Sequence, residues 1–162
     1  MANTIDVEVK GLIELQRKTI QMAKDLHGAP IVNAMQQSAL EVTRDAIINA
    51  PVDTGKLQAS ILPRIDLTET EVIGVVGSNV EYAPAVEFGS KPHMPPLEPL
   101  AAWVRRHNIG EEGYEYGIAM LIAWKIAAHG TKAQPYLIPA FEKNEANIRR
   151  RFENAVEVIV NK

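Results

Sequence analysis

The sequence predicts an α+β fold in which long N-terminal helices and a C-terminal helix pack on a small antiparallel sheet, with a two-helix insertion. Three observations predict it. Apolar residues recur at steps of three and four over residues 10–50 and again after residue 140, which is the stripe of an amphipathic helix. Between these stretches the period changes to β-branched runs around Thr68-Glu69-Thr70. Residues 92–130 then hold a proline-rich loop and two further helical patterns, so the chain reads as one domain, 1–162, with a helical insertion at about 92–130.

The first helix spans 10–27 through Leu12, Leu15, Thr19, Met22, Ala23 and Leu26, and Gly28 is placed to end it in a left-handed conformation. Pro30 opens the second helix as a first-turn proline, Ile31, Met35, Ala39, Val42, Ala46 and Ala50 form its stripe, and Pro51 ends it. Ile61, Ile65 and Leu67, then Val72, Val75 and Gly77, predict a hairpin whose first strand is an edge because Pro63 lacks a donor. The segment Tyr82 to Ser90 fits a short helix or a strand equally. Leu97, Leu100, Ala101 and Val104 give a short helix, Tyr114 to His129 a largely apolar one closed by Gly130, and a last helix runs from about Ala140 through Phe141, Ile148, Phe152, Ala155, Val156 and Ile159.

With 162 residues, 46% hydrophobic and 23% charged, the chain can bury a core of its own. It contains no cysteine, which removes thiolate metal sites, iron–sulfur clusters, cysteine nucleophiles and disulfides together. Met1 to Asp6 lack the basic and apolar regions of a signal peptide. The longest apolar stretch, Ile118 to Ile126, is about half the ~20 residues a bilayer span requires, so no membrane association is expected. Net charge is −3, with 7 basic and 11 acidic side chains in residues 1–81 and 10 and 9 in residues 82–162. Neither half is a polyelectrolyte, and nucleic-acid binding by phosphate neutralisation is not the default reading.

Asp53-Thr54-Gly55 is the triplet of aspartic proteases, where two such loops meet and two carboxylates share a proton. Here a helix breaker precedes it, Lys56-Leu57 follow, and the chain holds no second copy. The plainer reading is a structural turn in which Asp53 or Thr54 accepts backbone N–H groups and Gly55 supplies a permissive backbone. His27, His93, His107 and His129 show no metal-ligand spacing, and His27 and His129 each precede a helix-ending glycine, where a cation suits the macrodipole. No nucleophile motif or phosphate loop is present, so catalytic, cofactor-binding and metal-ligating residues are all expected to be absent. Arg149-Arg150-Arg151, with Arg105-Arg106, fits a local basic patch for DNA or an acidic partner, but the plainer reading is a solvated helix face beside the buried stripe of Ile148 and Phe152.

Four segments occur in order: Val9-Lys10-Gly11-Leu12, Ala50 to Leu57 with Ser60-Ile61 after it, Tyr82-Ala83 through Val86-Glu87-Phe88-Gly89, and Ala133-Gln134-Pro135-Tyr136-Leu137-Ile138-Pro139-Ala140. Together they resemble the tail-component family of long-tailed bacteriophages, the small head–tail joining or tail-completion proteins of lambda-like and HK-type phages. Gln58, Ser90 and Tyr136 stand where the family often has Arg, Thr and Phe. The resemblance implies a non-enzymatic virion or prophage protein of the neck, assembled in the host cytoplasm. It implies a sixfold ring that meets the tail terminator, the tail tube and head-completion proteins, with the genome passing through. The chain is expected to be monomeric or weakly associated when isolated. Tyr82, Glu87, Phe88, Arg149, Arg150 and Arg151 are the candidate interaction residues. The competing function is a small hydrolase of aspartic-protease type using the Asp-Thr-Gly turn.

Overall fold

A computed structural model describes Arg17, Gln21, residues 28–68 and residues 71–161. The expected helix over 10–27, with the Val9 to Leu12 segment and His27, lies outside the described residues apart from Arg17 and Gln21, both helical. Helix α1 (Ala29–Asn49) carries Pro30 in its first turn and stops just before Ala50-Pro51, as the backbone restriction on a residue preceding proline requires. A one-turn helix α2 (Lys56–Ser60) leads directly into strand β1 (Ile61–Leu67), which pairs with β2 (Val72–Ser78) as a two-stranded antiparallel sheet. The turn between the strands is closed by Thr68, whose N–H donates to the Glu71 carbonyl at 2.9 Å and whose hydroxyl accepts from the Glu71 N–H at 2.9 Å.

The ambiguous segment after the sheet is helical: α3 (Ala83–Phe88) has Pro84 in its first turn and ends at Gly89. The two-helix insertion consists of α4 (Leu97–Arg106) and α5 (Glu115–His129), which pack on each other. Both have acidic first turns, Glu98 and Glu115, and basic last turns, an arrangement that the helix macrodipole favours. In α5 the His129 ring lies 3.3 Å from the Lys125 carbonyl, at the helix end where its sequence position suggested. The last helix, α6 (Leu137–Val160), begins three residues before the expected Ala140. Pro139 therefore lies inside its first turn, where a missing N–H removes no intrahelical bond. What makes the earlier start possible comes from a distant side chain, described below.

The chain divides into two compact units. The first comprises Met1–Leu40, Arg64–Val75 and Glu145–Lys162. Within it, Met35 of α1 lies directly against Gly74 of β2, where an added Cβ would stand 2.5 Å from the Met35 Sδ, so a side chain at 74 would make the Met35 thioether move. Arg151 of α6 donates to the Ser38 hydroxyl of α1 at 3.0 Å, and that hydroxyl in turn donates to the Ala34 carbonyl at 2.7 Å.

The second unit comprises Glu41–Pro63 and Val76–Asn144. Small side chains contribute much of its core: Ala46, Ala119, Ala123 and Ala140 are completely buried, beside larger buried residues such as Leu57, Ile61, Val104 and Tyr136. Alanine at these contacts lets helix backbones approach closely, and the remaining polar groups are bonded across elements. Gln58 donates to the Ile47 carbonyl at 2.9 Å, and the hydroxyls of Ser60 and Ser78 meet at 2.6 Å.

Two carboxylates are buried in this unit, Asp45 and Glu87. Asp45 of α1 is 2% exposed and is met by the Asn144 amide at 2.8 Å, by Lys143 at 3.1 Å and by Arg44 at 3.1 Å. The Asn144 and Lys143 hydrogen bonds, with the Arg44 guanidinium beside them, hold its carboxyl down at about 2. A carboxyl whose folded value lies below its unfolded one stabilises the fold above the unfolded value, near 4, and loses that contribution as pH falls through the folded one. Asp45→Asn is therefore expected to lower the unfolding midpoint at neutral pH, with the difference from the parent shrinking between about pH 4 and pH 2. Denaturant titrations across that range check it; a difference constant with pH would show that Asp45 contributes nothing through its charge.

Candidate functional site

Three of the four segments that carry the family resemblance come together in the second unit. The Pro51 to Leu57 turn leaves α1, bends at Gly55 with φ +77°, and enters α2. The N-cap of α2 is Gly55, so no side chain caps that helix. Asp53 reaches outward to α4: Arg106 grips both its oxygens, Nε at 3.0 Å and Nη2 at 2.6 Å, and the His107 ring stands at 3.2 Å. That guanidinium, and the imidazole after it, hold the Asp53 carboxyl below the usual carboxylate range, while the same contact raises Arg106. An aspartic-protease dyad needs the opposite, a carboxyl whose proton is retained and shared. Gly55→Val is expected to lose about 1–3 kcal/mol, since a β-branched residue at this φ is strained even though open space surrounds the position. Asp53→Asn, which disturbs only a surface pair, is expected to lose less; thermal unfolding of the two variants gives the order, and the reverse order would mean that the Arg106 contact holds the turn.

The second segment supplies α3. Glu87 is 5% exposed, and its carboxylate accepts the backbone N–H groups of Tyr136 at 2.7 Å, Leu137 at 2.9 Å and Ile138 at 2.9 Å. These are donors at the start of α6 that a helix cannot satisfy from within, and a carboxylate is the best acceptor for them. Glu87, a candidate interaction residue, thus acts within the chain as a cap on α6. The third segment is the one capped: the Gln134 N–H donates to the Val86 carbonyl at 2.8 Å, and Tyr136 is 3% exposed, its phenol pushed up by burial and by the Glu87 charge. Asn49, just before the turn, donates to the Tyr136 carbonyl at 3.4 Å.

Between the turn, α3, α4 and residues 131–134 lies a cleft of about 490 Å³. Leu57, Ala85 and Val86 give it an apolar floor, and Tyr82, Trp103 and His107 give it an aromatic wall. The rings of Trp103 and His107 lie 4.7 Å apart at a tilt of 42°. Lys56 and Lys132 stand at its rim and make no ion pair among the described residues. With Asp53 neutralised by Arg106, the cleft keeps a positive excess in a chain whose net charge is −3.

Residues 15–89 match the model of the family described as "Bacteriophage HK97-gp10, putative tail-component". That segment is thus similar to a bacteriophage tail-component family. No curated protein and no solved structure matches the chain. The matched tail-component residues include the Asp53 turn and the Tyr82 to Gly89 segment, while Ala133 to Ala140 falls beyond them. The Glu87 hydrogen bonds join this outer segment physically to the tail-component part.

The other candidate residues lie apart from one another. Tyr82 is 44% exposed on the cleft wall, whereas Phe88 is 69% exposed at the end of α3. Arg149 pairs with Glu145 one turn back at 3.3 Å, Arg150 with Asn147 at 3.2 Å, and Arg151 is half-buried against Ser38. The arginine triplet is therefore split, with Arg149 and Arg150 exposed and Arg151 turned inward. Sequence reasoning missed Arg106, His107, Trp103, Lys56 and Lys132 as parts of one site, and missed Asp45 and Asn144. Nothing in the spacing links residues 53 and 106. Among the described residues no group of His, Asp or Glu is arranged to hold a metal ion, and no helix is long and apolar enough to cross a membrane.

Proposed function

We propose that this tail component works at the phage neck, completing the tail and helping join it to the DNA-filled head. The match over residues 15–89 carries the reading. In the assembled virion it forms a ring, hexameric to fit the tail's symmetry, between the tail tube and terminator on one side and the head-completion proteins on the other, and the genome passes through it. Its role is structural. Exposed apolar side chains support a surface made for assembly: Ile48, Phe88, Leu121 and Trp124 are 70, 69, 63 and 59% exposed, and the last two share one face of α5. The Arg106 grip on Asp53 weighs against the hydrolase alternative, because it commits the carboxylate to a structural pair. Deleting the gene in a producing strain is expected to leave filled heads and tails unjoined in electron micrographs. Tailed particles of normal appearance and infectivity would overturn the neck assignment.

A further inference from the structure

The segment between α4 and α5 is the chemical complement of the cleft. Glu111 and Glu112 are exposed and make no ion pair among the described residues, and Tyr114, two residues on, is 66% exposed. The segment is held as a turn, the Tyr114 N–H donating to the Glu111 carbonyl at 3.2 Å. It thus presents two free carboxylates and an aromatic ring, where the cleft presents two free ammonium groups and an aromatic wall over an apolar floor.

The two features do not share a hollow. Trp103 and His107, one turn apart on α4, point into the cleft, whereas Arg105 lines the hollow beside Gly110, Glu111 and Glu115. At about 100° per residue, Arg105 projects roughly 160–200° from both aromatic side chains. None of residues 108–116 lines the chain's own cleft, so the loop cannot be its occupant within one molecule in this arrangement.

We propose that the Glu111–Tyr114 turn of one copy docks in the Lys56–Lys132 cleft of the next, with Tyr114 against Trp103 and Tyr82 and the carboxylates on the two lysines. A donor and an acceptor on opposite sides of one helix make a head-to-tail contact, the kind that closes into a ring when the rotation per subunit permits. Buried tyrosine is a frequent anchor at such contacts, and opposite charges at the rim set register and encounter rate. The contact is small, so single pairs are weak and a ring is held by many at once. The inference rests on the ring reading above and names the surfaces that would form it.

The absence of cysteine makes the test clean. Glu112→Cys and Lys132→Cys chains, each otherwise complete, are mixed and oxidised. Disulfide-linked heterodimer is expected to form several-fold faster than from Lys132→Cys mixed with Glu142→Cys, an exposed position on α6 remote from the loop in sequence. Adding Glu111→Lys to the first chain, or Lys56→Glu to the second, is expected to slow trapping, and the two together to restore it. Trapping no faster than the control pair, or unaffected by either reversal, would overturn the proposal. Immunoblotting of purified virions reads the underlying assignment separately. A chain absent from virions removes the tail reading whatever the trap shows, and a chain present there with no trapping removes the docking proposal alone.

Discussion

Glu87→Ala is expected to cause the largest loss of stability among single substitutions outside the apolar core, about 3 kcal/mol or more. One carboxylate accepts three backbone N–H groups, those of Tyr136, Leu137 and Ile138. A buried donor left without an acceptor costs about 1–3 kcal/mol, and water can reach only part of this site because Tyr136 is 3% exposed. The charge also faces the positive end of the 24-residue helix α6, which adds to the loss when it is removed. At about 2–4 °C per kcal/mol for a chain of this size, the unfolding midpoint should fall by roughly 6–12 °C. Glu87→Gln separates the components. Its one carbonyl oxygen can keep the Tyr136 and Leu137 bonds, which share Oε2, but its NH2 then meets the Ile138 N–H donor to donor. It should therefore lie between the parent and the alanine variant. Thermal and denaturant unfolding measure all three, and an alanine variant within about 1 kcal/mol of the parent would show that water replaces the carboxylate.

Gly130→Ala is expected to be comparably severe, for a backbone reason. Gly130 ends α5 at φ +72° and ψ −163°, a conformation open in practice only to glycine. It lies where the chain returns from the two-helix insertion: Ser90 and Thr131 form an antiparallel bridge, exchanging N–H···O bonds of 3.2 Å each, and the Ser90 hydroxyl accepts the Thr131 N–H and hydroxyl as well. A methyl group on residue 130 would run into the Ser90 carbonyl oxygen, which is backbone and cannot swing aside. Relief requires breaking the bridge that ties the two ends of the insertion together. Strain of about 1–3 kcal/mol and the loss of those bonds act in the same direction. Gly117→Ala is the comparison. That glycine is inside α5 with open space around it, and alanine there should stabilise by roughly 0.5–1 kcal/mol. If the two alanine variants unfold together, the clash at 130 is absorbed by a movement that the bridge permits.

Helix α1, the hairpin, and α4 and α5 were legible because their signals are local. Pro30 and Pro51 limit α1, β-branched runs around a Thr-rich turn give two strands, and Gly130 ends α5. The start of α6 was read three residues late because Pro139 looks like a boundary, whereas a first-turn proline is compatible with a helix. The deciding group there is Glu87, some fifty positions earlier, whose carboxylate stabilises a helix turn that its own neighbours would not start. The Tyr82 to Ser90 segment was undecided for the same kind of reason: its pattern suits either state, and α3 is selected by burying Ala83 and Glu87 against the rest of the unit.

The sequence by itself determined the fold class, and the order of its short motifs gave a resemblance to the tail-component family whose model residues 15–89 match. It also determined what those motifs contain: a turn with a carboxylate, a helix with a glutamate, and a proline-bracketed tyrosine. Tertiary structure alone decided what each one does. Asp53 binds Arg106 and His107, Glu87 caps α6, and Asp45 is ionised in a buried place because Asn144, Lys143 and Arg44 converge on it. The physical reason is range. Turn chemistry and helical periodicity act over a few residues and leave a readable pattern, whereas a carboxylate's partner is set by which distant donors the packed helices bring within about 3 Å, and no spacing along the chain records that distance.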